Sequence, residues 1–166
     1  MKKLCCVFLV VFMLSGCGVQ SAFETIGDIL DMPVMAIKRE IQLQLPKEAT
    51  APVLQSEDGG KLYLCDGYTL TIQTLSAGDL DRTMREVTGF SKDQLTVMET
   101  EQMDTRRYDC VWSAAAEEGE QVARSVILDD GYYHYAVTVM ADFTSAGELA
   151  QTWQTLLGSV ALSGTD

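Results

Sequence analysis

The chain has no asparagine, one histidine, at position 134, and only three prolines in 166 residues. The first two scarcities remove chemistry: a Cys-His-Asn triad, the paired-histidine helix of zinc proteases and any site that needs several imidazoles are excluded. Base is scarce as well, with twelve Lys and Arg against twenty-four Asp and Glu, a net charge of −12. That balance favours solubility and argues against nucleic acid or direct adhesion to anionic lipid. No Gly-x-Ser-x-Gly elbow presents a nucleophile, and Gly59-Gly60 lacks the Lys-Ser or Lys-Thr that completes a phosphate loop.

Lys2 and Lys3 open the chain and precede an apolar run over residues 4–14. Eleven residues make a helix of roughly 16 Å at about 1.5 Å per residue. A bilayer core of about 30 Å needs more, so the run serves export rather than permanent spanning. Leu14-Ser15-Gly16-Cys17 ends it and resembles the lipobox of bacterial lipoproteins. The resemblance implies cleavage after Gly16 and a diacylglycerol on the sulfur of Cys17, two acyl chains being a stable anchor where one is marginal. An ordinary secretory signal cut at Ser15 or Gly16 is the alternative. Cys5 and Cys6 leave with the signal in either case.

Processing takes Lys2 and Lys3 from the twelve basic residues and leaves 150 residues with ten basic against twenty-four acidic, net −14. That length suits one domain. The expected division is a signal over 1–16, the lipidated cysteine and a tether over 17–38, one domain over 39–163 and a tail over 164–166. Besides Cys17 the mature chain holds only Cys65 and Cys110. In an exported domain the two invite a disulfide; the other reading is two buried thiols that pack as small hydrophobes.

Ile41, Leu43 and Leu45 alternate with Glu40, Gln42 and Gln44, the period of a half-buried strand that ends at Pro46. Residues 61–65 and 68–75 read as a hairpin about Asp66-Gly67. Asp79 caps a helix to about 88, with Leu80, Met84 and Val87 on one face and Gly89 as its stop. Strand patterns follow at 95–101, 107–115, 121–128 and 132–141. Ser145 and Glu148 have capping-box spacing for a last helix with Leu149, Trp153, Leu156 and Leu157 on one face, Gly158 at its end and a short strand after it. The expected fold class is α+β, an antiparallel sheet flanked by helices.

The residues Gly78-Asp79-Leu80-Asp81-Arg82-Thr83, and 133–139 leading into 149–162, give an element order that resembles the PsbP-like α/β/α sandwich over the last two thirds of the chain. No functional residue of those proteins matches a position here. The chain also resembles uncharacterised small lipoproteins of Gram-positive bacteria, which implies location and no activity.

His134 lacks a motif partner, so a structural or solvent-facing role is the expectation; a Ser-His-Asp set with Asp129, Asp130 or Asp142 is the arithmetical alternative. Asp58, Asp66 and Asp129-Asp130 sit in turns, where Asp-Gly is good turn chemistry, and none has the spacing of a calcium loop. No metal and no catalytic residue is predicted, and no cofactor beyond the lipid on Cys17. Tyr63, Tyr68, Tyr132 and His134 are the candidate binding face, while Trp112 and Trp153 are expected in the core. The function that follows is a non-enzymatic lipoprotein on the outer face of the cell membrane that binds a partner protein or assists envelope assembly. A small-ligand receptor and an unrecognised hydrolase are the alternatives.

Overall fold

The computed structural model describes residues 36–102, 104–117 and 119–164; the expected signal, Cys17, nearly all of the expected tether and the last two residues lie outside them. Asp66-Gly67 makes the first hairpin. Gly67 takes φ 77°, a conformation open to glycine at little cost, and Cys65 N–H donates to Tyr68 O at 2.9 Å. This joins β3 (Lys61–Leu64) to β4 (Thr69–Ser76). Helix α1 (Leu80–Thr88) starts where Asp79 accepts the N–H of Asp81 at 3.1 Å. It stops at Gly89, φ 83°, whose N–H returns to Arg85 O, and Asp81 pairs with Arg85 at 2.7 Å across one turn.

The next strands form a meander, β5 (Thr96–Gln102), β6 (Thr105–Ala116), β7 (Gly119–Asp129) and β8 (Tyr133–Asp142). With β2 (Leu54–Gln55) they build a seven-stranded antiparallel sheet of order β2-β3-β4-β8-β7-β6-β5. β1 (Ile41–Gln42) and β9 (Ala161–Leu162) pair separately. The predicted first strand is thus real but two residues long, because its partner β9 is equally short.

Both faces of the sheet are covered at its centre. Helix α2 (Phe143–Gly158) lays Trp153, Leu156 and Leu157 against Tyr68, Leu70, Val126, Val137 and Val139. On the opposite face α1 sets Met84 on Tyr108, Ile127 and Ala136. Strand β8 serves both clusters, its odd residues from Tyr135 to Val139 facing α2 and His134 and Ala136 facing α1, so it is buried throughout its middle. Trp112, expected in the core, lies half-buried on β6, the strand next to the edge, tilted against Phe90 at 6.4 Å.

Two boundaries of α2 differ from the capping pattern. It begins at Phe143, before Ser145, because β8 runs straight into it and Asp142 is still paired with Gln121 when the helix starts. At its end Gly158 is helical and Ser159 is the cap. The last carbonyls have other partners: Ser159 Oγ donates to Leu156 O at 2.7 Å, and Arg107 Nη2 donates to Leu157 O at 3.0 Å. With those bonds made, no left-handed glycine is needed.

Candidate functional site

His134 meets a hydroxyl and a carboxylate. Thr83, facing inward from α1, places Oγ1 2.6 Å from His134 Nδ1, and Asp129, opposite His134 on β7, lies 3.6 Å from Nε2. A hydroxyl that donates to Nδ1 leaves the proton on Nε2, toward the carboxylate. The group types are those of a nucleophile relay. Thr83 is only 4% exposed and His134 1%, however, and a cleft of about 420 Å³ that Thr83 borders with Asp79, Arg82 and Glu86 does not open the imidazole to solvent. Asp129 Oδ1 also accepts Gly131 N–H at 2.7 Å, which fixes the β7–β8 turn. What this line of three side chains does in the fold is pin α1 to the sheet.

The other sequence candidates do not form a face with it. Tyr63 and Tyr68 are buried in the cluster under α2, His134 is sealed on the opposite side, and only Tyr132, at 56% exposure, meets solvent. Tyr63 on β3 points to the α2 face and His134 on β8 to the α1 face, while Tyr132 sits in the turn before β8. The disulfide is corrected too. Cys65 and Cys110 are both free, Cys65 packed against the α2-side cluster and Cys110 paired with Ser125 on the α1 side of β6, with β4, β8 and β7 between them. At about 4.8 Å per strand the sheet alone separates them well beyond the span of a bridge. Burial pushes the Cys110 thiol up to about 11. Thiol labelling of a chain lacking Cys17 should therefore count two thiols without reductant once unfolded, with Cys65 reacting first in the native state; a count of zero would restore the bridge.

A second polar cluster closes the start of the domain. Tyr135 Oη donates to Asp130 Oδ2 at 2.8 Å and accepts Arg39 N–H at 3.0 Å. Asp130 Oδ1 takes the N–H groups of Tyr132 and Tyr133, and Arg39 reaches Ser163 O at 2.9 Å and Asp104 at 3.1 Å. The acidic turn Asp129-Asp130 thus accepts from three backbone N–H groups and the Tyr135 hydroxyl, and among the described residues no group of three acidic, His or Cys side chains could hold a metal ion. Burial, opposed by the Arg39 N–H and reinforced by Asp130, pushes Tyr135 up to about 12. The fold favours the neutral phenol, so this contribution to stability is full below the ordinary phenol value of about 10 and is lost as pH rises through about 12. An ultraviolet phenolate titration of the native protein should show a late step that Tyr135→Phe removes.

Among the exposed apolar side chains of the described residues, two groups stand at the sheet's two ends. At one end Leu54 (64% exposed) and Leu64 (59%) flank Leu62 on the α1 side of the sheet, at strands that α1 does not cover. At the other, Met98 (61%) and Val111 rim a pit of about 190 Å³ between β5, β6 and Leu157 of α2. Sequence patterning did not point to these residues, since alternation marks a strand but not its place in the sheet.

Together these features define an α+β protein built on one antiparallel sheet with a helix against each face. No family model and no curated protein matches the chain. Two solved structures resemble it in part. PA94, a protein of unknown function from Pseudomonas aeruginosa, aligns at 13% identity with a TM-score of 0.46 over 69% of this chain and 92% of its own. LpqN, involved in cell envelope biogenesis of Mycobacterium tuberculosis, aligns at 11% identity with a TM-score of 0.47 over 75% of this chain and 84% of its own. At these scores no residue role passes from either protein to this one. No helix among the described residues is long and apolar enough to cross a membrane.

Proposed function

We propose that the chain is a lipoprotein anchored through a diacylglycerol on Cys17 to the outer face of the cell membrane, and that its domain is a non-enzymatic module that binds a partner protein of the envelope. The observation that carries the binding reading is where apolar surface is left open. Leu54, Leu64 and Met98 stand exposed at the sheet's ends, while the one hydroxyl–imidazole pair is sealed. Exposed apolar patches of this kind suit protein contact better than catalysis or a deep ligand pocket. The anchor rests on the charged start, the short apolar run and Leu14-Ser15-Gly16-Cys17. The order of elements from residue 61 is in keeping with a PsbP-like sandwich as the architecture.

Two experiments test the reading. Lipid labelling should be lost in Cys17→Ser, and unchanged labelling would remove the anchor. Cross-linking of the tagged chain in its native envelope should capture a defined partner. Capture of none, together with tight binding of a small molecule by the domain, would replace the module with a ligand receptor.

A further inference from the structure

We infer that the outer edge of β5 is a strand-addition site for an extended segment of a partner protein in which basic and apolar residues alternate. The inference rests on the partner-binding reading above and adds the place of contact and its chemistry. β5 ends the sheet, and among the described residues its only strand neighbour over Thr96–Gln102 is β6. An edge strand turns unpaired N–H and C=O groups outward, where another extended chain can bond to them. At seven residues β5 offers far more of them than the two-residue β2 at the opposite end. Its sequence, Thr-Val-Met-Glu-Thr-Glu-Gln, has neither the Pro nor the Lys that commonly blunts an edge, and its two charges, Glu99 and Glu101, are both acidic, so they repel a like-charged strand and not a basic one.

The side chains flanking that edge state what would dock. Toward α2 stand Thr96, Met98 and Thr100, with the pit of about 190 Å³ beside them, large enough for one aliphatic side chain. Toward α1 stand Val97, Glu99 and Glu101. Lys92 approaches Glu99 at 3.6 Å and Arg106 sits opposite Glu101 on β6, yet both carboxylates remain exposed on the outer side. Side chains directly opposite across a strand pair lie about 5 Å apart, and opposite charges there stabilise the pairing. A strand added to β5 is therefore favoured when it places basic residues by Glu99 and Glu101 and an apolar one over the pit. The same carboxylates oppose a second copy of this chain: antiparallel self-pairing centred on Glu99 or Thr100 sets acid against acid, and the net charge of −12 adds to the repulsion.

The test uses the full-length chain in a non-ionic detergent and three blocked heptapeptides: alternating lysine and valine, alternating glutamate and valine, and the lysine and valine residues regrouped into two blocks. Anisotropy gives affinity and amide exchange gives position. The alternating lysine peptide should bind about tenfold more tightly than either control and slow exchange within residues 96–102. Met98→Asp, a change at an exposed site, should weaken it about fivefold, and the double variant Glu99→Lys, Glu101→Lys should reverse the preference toward the glutamate peptide. Binding that ignores charge and order, protection confined to other strands, or a dimer formed through β5 would each overturn the assignment. If the titration fails while envelope cross-linking still captures a partner, the edge assignment falls and the partner-binding reading stands; if both fail, both fall.

Discussion

Trp153→Ala is expected to cost about 3–5 kcal/mol of folding stability, the range for emptying a buried indole site. Trp153 is among the largest fully buried side chains. It meets Tyr68 edge-on with ring centroids 6.2 Å apart and lies in one cluster with Leu70, Val137 and Val139. Removing it opens a cavity between α2 and the sheet that the strands, hydrogen-bonded on both sides, cannot close. For a domain whose total stability is of the usual 5–15 kcal/mol, a third or more would be lost. The urea midpoint should fall by about 2 M at an ordinary slope. Trp153→Phe separates packing from polarity. The indole Nε1 is buried without a hydrogen-bond partner among the described residues, so phenylalanine keeps much of the volume and removes a donor left unpaired. Its loss should stay near about 1–2 kcal/mol. Equal midpoints for the two variants would show that α2 is not held by this side chain.

Arg107→Ala should be the next most damaging change, about 2–4 kcal/mol. The Arg107 guanidinium, mostly shielded on β6, forms a two-bond fork with Asp109, Nε to Oδ2 at 2.8 Å and Nη2 to Oδ1 at 2.9 Å. The same Nη2 donates to Leu157 O at 3.0 Å, and Nη1 lies 3.5 Å from Val160 O. One side chain thereby joins the sheet to the C-terminal end of α2, where positive charge also suits the helix dipole. Alanine would leave Asp109 without its counter-charge and the helix end without its donor. Arg107→Ala combined with Asp109→Ala should recover part of the loss, because the stranded carboxylate leaves with its partner. A double variant as unstable as the sum of the two singles would reject this account.

What the sequence could show was local. Asp79 and Gly89 bracket α1 within a residue of the expected ends, because a cap and a left-handed stop act on their own neighbours. Asp66-Gly67 fixed the first hairpin for the same reason. Strand order was not legible. Cys65 and Cys110 each sit in or beside an alternating run, and only the placement of three strands between them decides that they cannot bond. His134 finds its hydroxyl on Thr83, 51 residues away on α1, a pairing that no spacing encodes. The Ser145 and Glu148 signal was overridden because β8 continues without a loop into α2. β5 reads like any other strand until the sheet is assembled and leaves it at the end.

The closure of the domain's two ends on each other has a mechanical consequence. Arg39 and Glu40 bond to Ser163, and Ile41-Gln42 zip onto Ala161-Leu162. Tension that enters through residue 38 therefore loads a two-residue antiparallel pair at its open end and peels it one bond at a time. The seven-stranded sheet bears load only after that pair has parted. The domain would yield first at this weak clasp, releasing a few residues at small force while the core stays shut.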